Sequence, residues 1–379
     1  MKNSVLLMAN YSNTTGYAWN NIYRLFNILA KGLDEQGIGV CLSFKEVSGS
    51  IDFINNEVSF ETILFDPYSV NMRNLLDLMA NVRSKNIKYV YMTDQRTFRF
   101  LYLMLRLSGV EKIIVHSRTS VPNPHPAVPE KGFKKLIKTI IHRIPWICPD
   151  YIYTVSEFVR HRIINKNCYP AAKTVKILNG INIDKFKCDD NKQQNDAITI
   201  FTGSRATKYK GIGILIKAAS ILKHDFNIDR FRIEYAGDGP DIVEFKEMVK
   251  KLNLQSNFIF LGQLKHTRDN VCKSDIVVVP SVWGDAYPSS VSEALAAGKP
   301  LITTKAGGIP EIVGEEQNAV LVAPADEMEL ANALADLITN SKKRAELSVN
   351  ARERAEQALN EDDYYKTFES RFFADILHN

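Results

Sequence analysis

Ile276-Val-Val-Val-Pro280-Ser-Val-Trp-Gly-Asp285-Ala-Tyr-Pro-Ser-Ser290-Val-Ser-Glu293-Ala-Leu-Ala-Ala-Gly-Lys-Pro300-Leu-Ile-Thr-Thr304 orders the reading of this 379-residue chain. A short apolar run, Ile276–Val279, is followed by a turn-rich loop, a helix start and a second short apolar run, Leu301–Thr304. Strand, helix and strand at this spacing imply a parallel pair joined by a crossover. Asp285 and Glu293 stand eight positions apart around the loop-to-helix junction, among small, turn-prone or hydroxyl-bearing residues. Carboxylates accept hydrogen bonds from hydroxyls, and free N–H groups at a helix start donate to sugar or phosphate oxygens. The stretch therefore suits a neutral ligand with many hydroxyls. The two acids also fit a solvated helix start, where the macrodipole favours negative charge.

The same rhythm extends outward from this stretch. Ile198–Thr202, Phe231–Ala236, Phe258–Leu261 and Val320–Val322 read as further strands, with helical patterns at Ile212–Leu222, Val243–Leu252 and Leu330–Ile338. The first half repeats it less cleanly, with strands at Val5–Met8, Val40–Phe44, Tyr89–Met92, Lys112–Val115 and Tyr151–Thr154. Such alternation predicts mostly parallel sheets covered on both faces, with ligands beyond the carboxyl ends of the strands. The polar residues 187–197 read as a linker. The expected division is 1–187, 188–360 and a C-terminal segment 361–379 that crosses back to the first domain; Ala351–Leu377 is helical in pattern.

A hydrophobic fraction of 45% with 24% charged residues is that of a soluble globular protein with room for two cores. The first ten residues lack the length and cleavage context of a signal peptide and read as a first buried strand. The five cysteines, at 41, 148, 168, 188 and 272, are scattered without a CxxC pair, so neither a disulfide framework nor a zinc site is expected, and a reducing cytoplasm fits. The net charge of +5 hides an asymmetry: residues 1–190 carry 25 Lys/Arg against 16 Asp/Glu, leaving 23 against 27 for the rest. A basic half suits an anionic partner or an unevenly charged solvated surface. No groove-reading or base-stacking motif accompanies it, so nucleic acid is not expected.

Other motifs follow the strands. Gly203-Ser-Arg-Ala-Thr-Lys-Tyr-Lys-Gly211 places Arg205 and Lys210 before a helix, a combination suited to a diphosphate and equally to a solvated basic loop. Gly237-Asp-Gly-Pro240 lacks the third glycine of a dinucleotide fingerprint and fits a nucleotide contact or a tight turn. Gly307-Gly308 permits close backbone approach, and Gly16 sits after the first strand, where amides could meet a phosphate. His116 ends a strand and could face substrate, with Arg118 on the same loop; lone histidines are more often structural. P-loop, HExxH, G-x-S-x-G and Asp-x-Asp motifs are absent from the sequence.

Residues 131–144 form an amphipathic pattern, apolar at 133, 136, 137, 140, 141 and 144, with Lys131, Lys134, Lys135, Lys138 and Arg143 on the remainder. Such a helix could meet an anionic membrane surface. The favoured arrangement packs the apolar face on the protein's own sheet and leaves only the basic flank for lipid. The proline-rich stretch 121–129 before it is expected to be extended and partly mobile.

Taken in order, these pieces resemble the retaining glycosyltransferases of family four, glycosyl transferases group 1. The resemblance covers most of the chain. It is carried by Val155–Arg160, Lys176–Asn182 with Phe186, the Gly203–Gly211 loop, Ala236–Pro240, Phe260–Gly262, the paired acids and Gly307-Gly308 with Glu311. Three departures stand out: Asp285 where the family has Glu, Asn182 where it has Asp, and Thr15-Gly16 where a glycine pair is common. The resemblance implies an α/β GT-B fold, two Rossmann-like domains facing across a cleft. It implies a hexosyltransferase that moves a sugar from a nucleotide diphosphate sugar to a glycan or lipid-linked acceptor in cell-surface polysaccharide synthesis. Anomeric configuration would be retained and no metal or other cofactor required. The enzyme would be cytoplasmic, peripheral on the inner face of the membrane. Glu293 would hold the ribose, and Asp285 with the backbone of Tyr287, Pro288, Ser289 and Ser290 the donor sugar. Arg205, Lys210 and Gly16 would hold the diphosphate, Gly237 would line the nucleotide site, and His116 would lie near the donor sugar. An epimerase or hydrolase on the same scaffold, or a non-catalytic nucleotide-sugar binder, fits the same residues.

Overall fold

A computed structural model of the chain describes residues 2–10, 17–46, 60–69, 71–188 and 197–377. The chain divides into two compact units. The first takes Met1–Thr119, Ala127–Leu178 and Tyr365–Asn379; the second takes Ser120–Pro126 and Asn179–Tyr364. The sequence reading set the division at 187/188 and 360/361. Gly16 and most of the linker 187–197 lie outside the described residues.

Among the described residues the first unit has seven strands: β1 (Ser4–Met8), β2 (Gly39–Phe44), β3 (Phe60–Leu64), β4 (Ile87–Thr93), β5 (Lys112–Ser117), β6 (Tyr151–Thr154) and β7 (Thr174–Lys176). All pair in parallel, in the order β3-β2-β1-β4-β5-β6-β7. Val5, Leu6, Leu7 and Met8 on β1, and Ile113, Ile114 and Val115 on β5, are all 0% exposed. Consecutive apolar residues buried on both faces mark a sheet covered by helices on each side. β3 and β7 were not anticipated. Both are outermost strands with a single partner, β3 has an exposed outer pattern, and β7 is three residues long. Neither needs the apolar run by which an inner strand is read.

Among the described residues the second unit has six parallel strands: β8 (Ile198–Gly203), β9 (Phe231–Ala236), β10 (Phe258–Gly262), β11 (Ile276–Val279), β12 (Leu301–Thr304) and β13 (Val320–Val322). Their order is β10-β9-β8-β11-β12-β13. The order reverses between β8 and β11, and the loops leaving these neighbours are Gly203–Gly211 and residues 280–288. That reversal is where open α/β sheets bind ligands. Helices Ile212–Ser220, Ile242–Lys251 and Glu327–Thr339 bury Leu215, Ile216, Phe245, Leu330 and Leu334 in one core.

Four expectations are corrected. The helical pattern Ala351–Leu377 is broken: one helix ends at Ala358, another runs Glu361–Leu377, and Asn360 between them bridges to Ile181. Cys188 and Cys272 form a disulfide across 84 residues, where no disulfide was expected. Arg268 donates to the carbonyls of Lys185 (2.7 Å) and Lys187 (2.6 Å), which draws Cys188 to the helix Arg268–Lys273 that carries Cys272. Cysteine use therefore no longer argues for a reducing compartment. The proline-rich stretch is tied down along Ser120–Pro126. Val121 forms an antiparallel bridge with Gly284, and Pro124 accepts from the Gly307 N–H at 2.8 Å. Helix Gly132–Ile141 has no buried residue, so its apolar face does not pack on the sheet. No helix among the described residues is long and apolar enough to cross a membrane.

Candidate functional site

The β8 and β11 loops meet at Asp285. Its side chain is 5% exposed and is held on several sides. Lys210 Nζ donates to both carboxylate oxygens, at 2.9 and 3.0 Å, and Ser281 Oγ donates at 2.7 Å. Ser120 Oγ donates to the same carboxylate at 3.3 Å and accepts the Ala286 N–H at 3.1 Å. A buried carboxylate is costly unless paired and hydrogen-bonded, and this one is both. The sequence offered Lys210 as a diphosphate ligand and Asp285 as a sugar ligand. The structure joins them to each other, so each is engaged before any ligand arrives.

Two glycines allow this packing. Gly211 has φ 76°, and a Cβ there would lie 1.7 Å from the Pro280 carbonyl oxygen. Gly307 has φ 61°, and a Cβ there would lie 2.3 Å from the Asp285 carbonyl oxygen. Any larger residue would push the β8 and β12 loops off the β11 loop. Gly308 then donates its N–H to the Asp285 carbonyl at 2.8 Å.

Arg205 is exposed on the β8 loop and has no carboxylate partner among the described residues. Its neighbours are locked to the β9 loop: Ala206 N–H donates to Asp238 O at 2.8 Å and Lys208 N–H to Asp241 at 2.7 Å. Gly237 belongs to that loop, and its N–H is engaged by Gly262 O at 2.8 Å, which makes it a loop-packing residue here. Helices Ile212–Ser220 and Ser289–Ala296 start without a side-chain cap; the Ile214 and Val291 N–H groups are taken by the Gly211 and Pro288 carbonyls, and among the described residues no side chain takes the N–H groups before them.

Glu293 is 9% exposed on the second of these helices, and Thr267 Oγ1 donates to it at 3.4 Å. Pro288 precedes the helix, and Ser289 and Ser290 open it half-buried. Tyr287 turns its hydroxyl inward, donating to Asn179 O at 2.6 Å and accepting from Ser292 at 3.0 Å. Burial raises its pKa, so that hydroxyl is a structural tie.

His116 does not lie open to substrate as expected. It is 0% exposed on β5, among Tyr91, Tyr153 and Phe368, with ring centroids 6.1, 6.4 and 5.4 Å away. Nδ1 meets Tyr91 Oη at 2.7 Å, and Nε2 has no hydrogen-bond partner among the described residues. Burial first, and the Arg118 charge second, hold its pKa well below the ordinary value, so it is a neutral core residue. Ser120, Ser281 and Thr267 were missed as supports of the two acids. Ser281 was visible in the motif stretch itself, whereas Ser120 lies 165 residues from Asp285 with no local signal. No cluster of three or more potential metal ligands occurs among the described residues.

Residues 183–354 match the family described as glycosyl transferases group 1. The gpi3 subunit of phosphatidylinositol N-acetylglucosaminyltransferase from Schizosaccharomyces pombe is 29% identical over 193 residues, 50% of this chain and 41% of that protein. The capsular polysaccharide biosynthesis glycosyltransferase CapM from Staphylococcus aureus is 26% identical over 238 residues, 56% of this chain and 59% of that protein. The chain thus spans less than two thirds of the length of these curated relatives. A glycosyltransferase from Rickettsia africae superposes with a TM-score of 0.78 at 20% identity, covering 100% of both chains. HepE from Anabaena, solved with UDP and glucose, superposes at 0.75 and 17% identity, covering 98% of this chain and 100% of that one. The two-sheet α/β architecture is the GT-B fold, and the domain of residues 183–354 belongs to the glycosyl transferases group 1 family.

Proposed function

We propose that the chain is a retaining, metal-independent glycosyltransferase that moves a sugar from a nucleotide diphosphate sugar to a glycan or lipid-linked acceptor in cell-surface glycan synthesis. The observation that carries this reading is the Lys210–Asp285 pair at the β8/β11 reversal, beside two uncapped helix starts. The donor diphosphate takes Arg205 and draws Lys210 off Asp285. The freed carboxylate then accepts hydrogen bonds from the sugar hydroxyls, while Glu293 accepts from the ribose. An acceptor hydroxyl attacks the anomeric carbon on the face the diphosphate leaves. The bond to the phosphate oxygen breaks with its electron pair, and the departing phosphate takes the acceptor's proton. The two cations compensate the charge that develops on the diphosphate, so the step needs no metal. One such fixed donor is worth about 3–4 kcal/mol in comparable sites.

Asp285 is one methylene shorter than the family's glutamate, and its tether to Ser281 and Ser120 sets how far it reaches toward the sugar. Similarity to a phosphatidylinositol N-acetylglucosaminyltransferase subunit and to a capsular polysaccharide biosynthesis glycosyltransferase supports a lipid-linked or glycan acceptor. The UDP bound to HepE makes uridine diphosphate sugars the first donors to test. The basic first half supports peripheral placement on the inner face of a membrane.

The deciding experiment incubates the protein with nucleotide sugars, with and without acceptor glycolipid extract. Nucleoside diphosphate release that requires acceptor supports transfer. Release without acceptor identifies a hydrolase, an isomerised donor identifies an epimerase, and thermal stabilisation by donor without turnover identifies a binder.

A further inference from the structure

Phe133, Ile137, Ile140 and Ile144 recur at helical spacing and are 74%, 42%, 51% and 41% exposed. They form one apolar stripe along helix Gly132–Ile141 and just past its end. The side of this helix that meets the protein carries the half-buried Lys138, Thr139 and Ile141, and Lys138 Nζ donates to Glu130 and to Lys166 O, both at 2.7 Å. The stripe continues into Trp146, 50% exposed in the turn Pro145–Ile147. It also reaches Phe98, 45% exposed, whose ring lies 6.0 Å from His142 at the helix end.

Lys131, Lys134, Lys135 and Arg143 stand exposed around the stripe; none forms an ion pair at contact distance among the described residues, and Lys134 feels the Glu130 carboxylate that Lys138 and Lys166 already hold. Contiguous apolar surface of this kind marks a place where something other than water belongs. The rim decides what. A second copy of the chain would bring the same four cations against these, and like charges would oppose the contact. An anionic lipid surface complements the cations, takes the apolar stripe, and favours a tryptophan at its interface.

We propose that this face is a membrane-docking surface that inserts the stripe into the acyl boundary of an anionic bilayer, with the four cations at headgroup level. The proposal deepens the peripheral placement suggested above from charge contact to apolar insertion. It is independent of the sugar chemistry, and its test uses neither donor nor acceptor, so the two readings can fail separately.

The test is flotation of the full chain with phosphatidylcholine vesicles, with and without phosphatidylglycerol, at low and high salt. Wild type should float with the anionic vesicles and keep part of that binding at high salt, with a blue shift in emission that Trp146→Phe removes. Ile137→Glu/Ile140→Glu should reduce partition by about tenfold or more, with an unchanged melting temperature because both positions are exposed. Lys134→Glu/Lys135→Glu should abolish the preference for anionic lipid. Equal binding by Ile137→Glu/Ile140→Glu, or binding fully reversed by salt without an emission shift, overturns insertion. A lipid-free dimer that the same double variant makes monomeric assigns the face to a second copy and also overturns it.

Discussion

The two units share one winding scheme and handle surface and polar groups in opposite ways. In each, the strand order turns back at the first strand of the sheet, between β1 and β4 and between β8 and β11. Among the described residues, fifteen of the nineteen exposed large hydrophobic residues fall in the first unit and four in the second, so the first presents more of the apolar surface described. Strand-end polar groups differ as well. In the second unit the β11 loop carries Asp285 to the Lys210 ammonium, whereas in the first the β5 end turns His116 into an aromatic core. A polar residue at the carboxyl end of a parallel strand is therefore a site residue only if its side chain leaves the sheet with the loop. His116 is still within its strand, and a strand residue facing a covering helix is core whatever its chemistry.

The largest effect expected from breaking this contrast is at Lys210. Lys210→Ala should lower sugar transfer by about 10²–10³-fold, read as acceptor-dependent nucleoside diphosphate release. Removing Lys210 also leaves the buried Asp285 carboxylate without its cation, a cost of about 3–5 kcal/mol when a buried pair is broken, so turnover is read on the folded fraction. Near-normal turnover would remove the diphosphate role and leave the pair a structural tie.

His116→Ala should do the reverse. Loss of the ring opens a cavity in the aromatic cluster, which should cost about 2–4 kcal/mol in urea denaturation, with turnover of the folded fraction within about twofold of wild type. A large fall in turnover at unchanged stability would return His116 to the substrate. The pH dependence sharpens the same point. The folded pKa is depressed below 6.5, so the unfolded chain takes up a proton that the folded one refuses. The His116 contribution to stability is full above 6.5 and is lost as pH falls below it toward the folded pKa. His116→Phe should flatten that acid-side slope. A slope identical to wild type would mean that another group produces it.

The smallest effect expected is at Ser120. Ser120→Ala removes one donor to Asp285 and one acceptor from Ala286, a change of about 1 kcal/mol. It should appear as a severalfold change in donor KM, with kcat following less. An unchanged KM would mean that Lys210 and Ser281 alone position the acid.

Much of the fold was legible because buried parallel strands are apolar along their whole length. β6, β9, β11, β12 and β13 have the bounds their apolar runs imply. Arg205, Lys210, Asp285 and Glu293 were legible as candidates because charged residues after such strands stand out against small and turn-forming neighbours. Their pairing was not legible. Lys210 and Asp285 are 75 residues apart, Ser120 and Asp285 165 apart, and Cys188 and Cys272 84 apart. No local pattern encodes contacts at such separations.

The amino-acid order by itself determined strand and helix alternation, the cationic loop and the amphipathic pattern at 131–144. Each of these depends on neighbours along the chain, through backbone preference and the period of apolar residues. Only the tertiary structure decided which way each pattern faces. Periodicity shows that a helix has an apolar side but is blind to whether sheet or solvent lies against it, and it placed the Phe133–Ile144 stripe inward when it lies outward. A strand-end position likewise does not say whether His116 points to a ligand or to Phe368. Burial is set by what packs against a residue from elsewhere in the chain, and for His116 that neighbour arrives from helix Glu361–Leu377, about 250 residues further on.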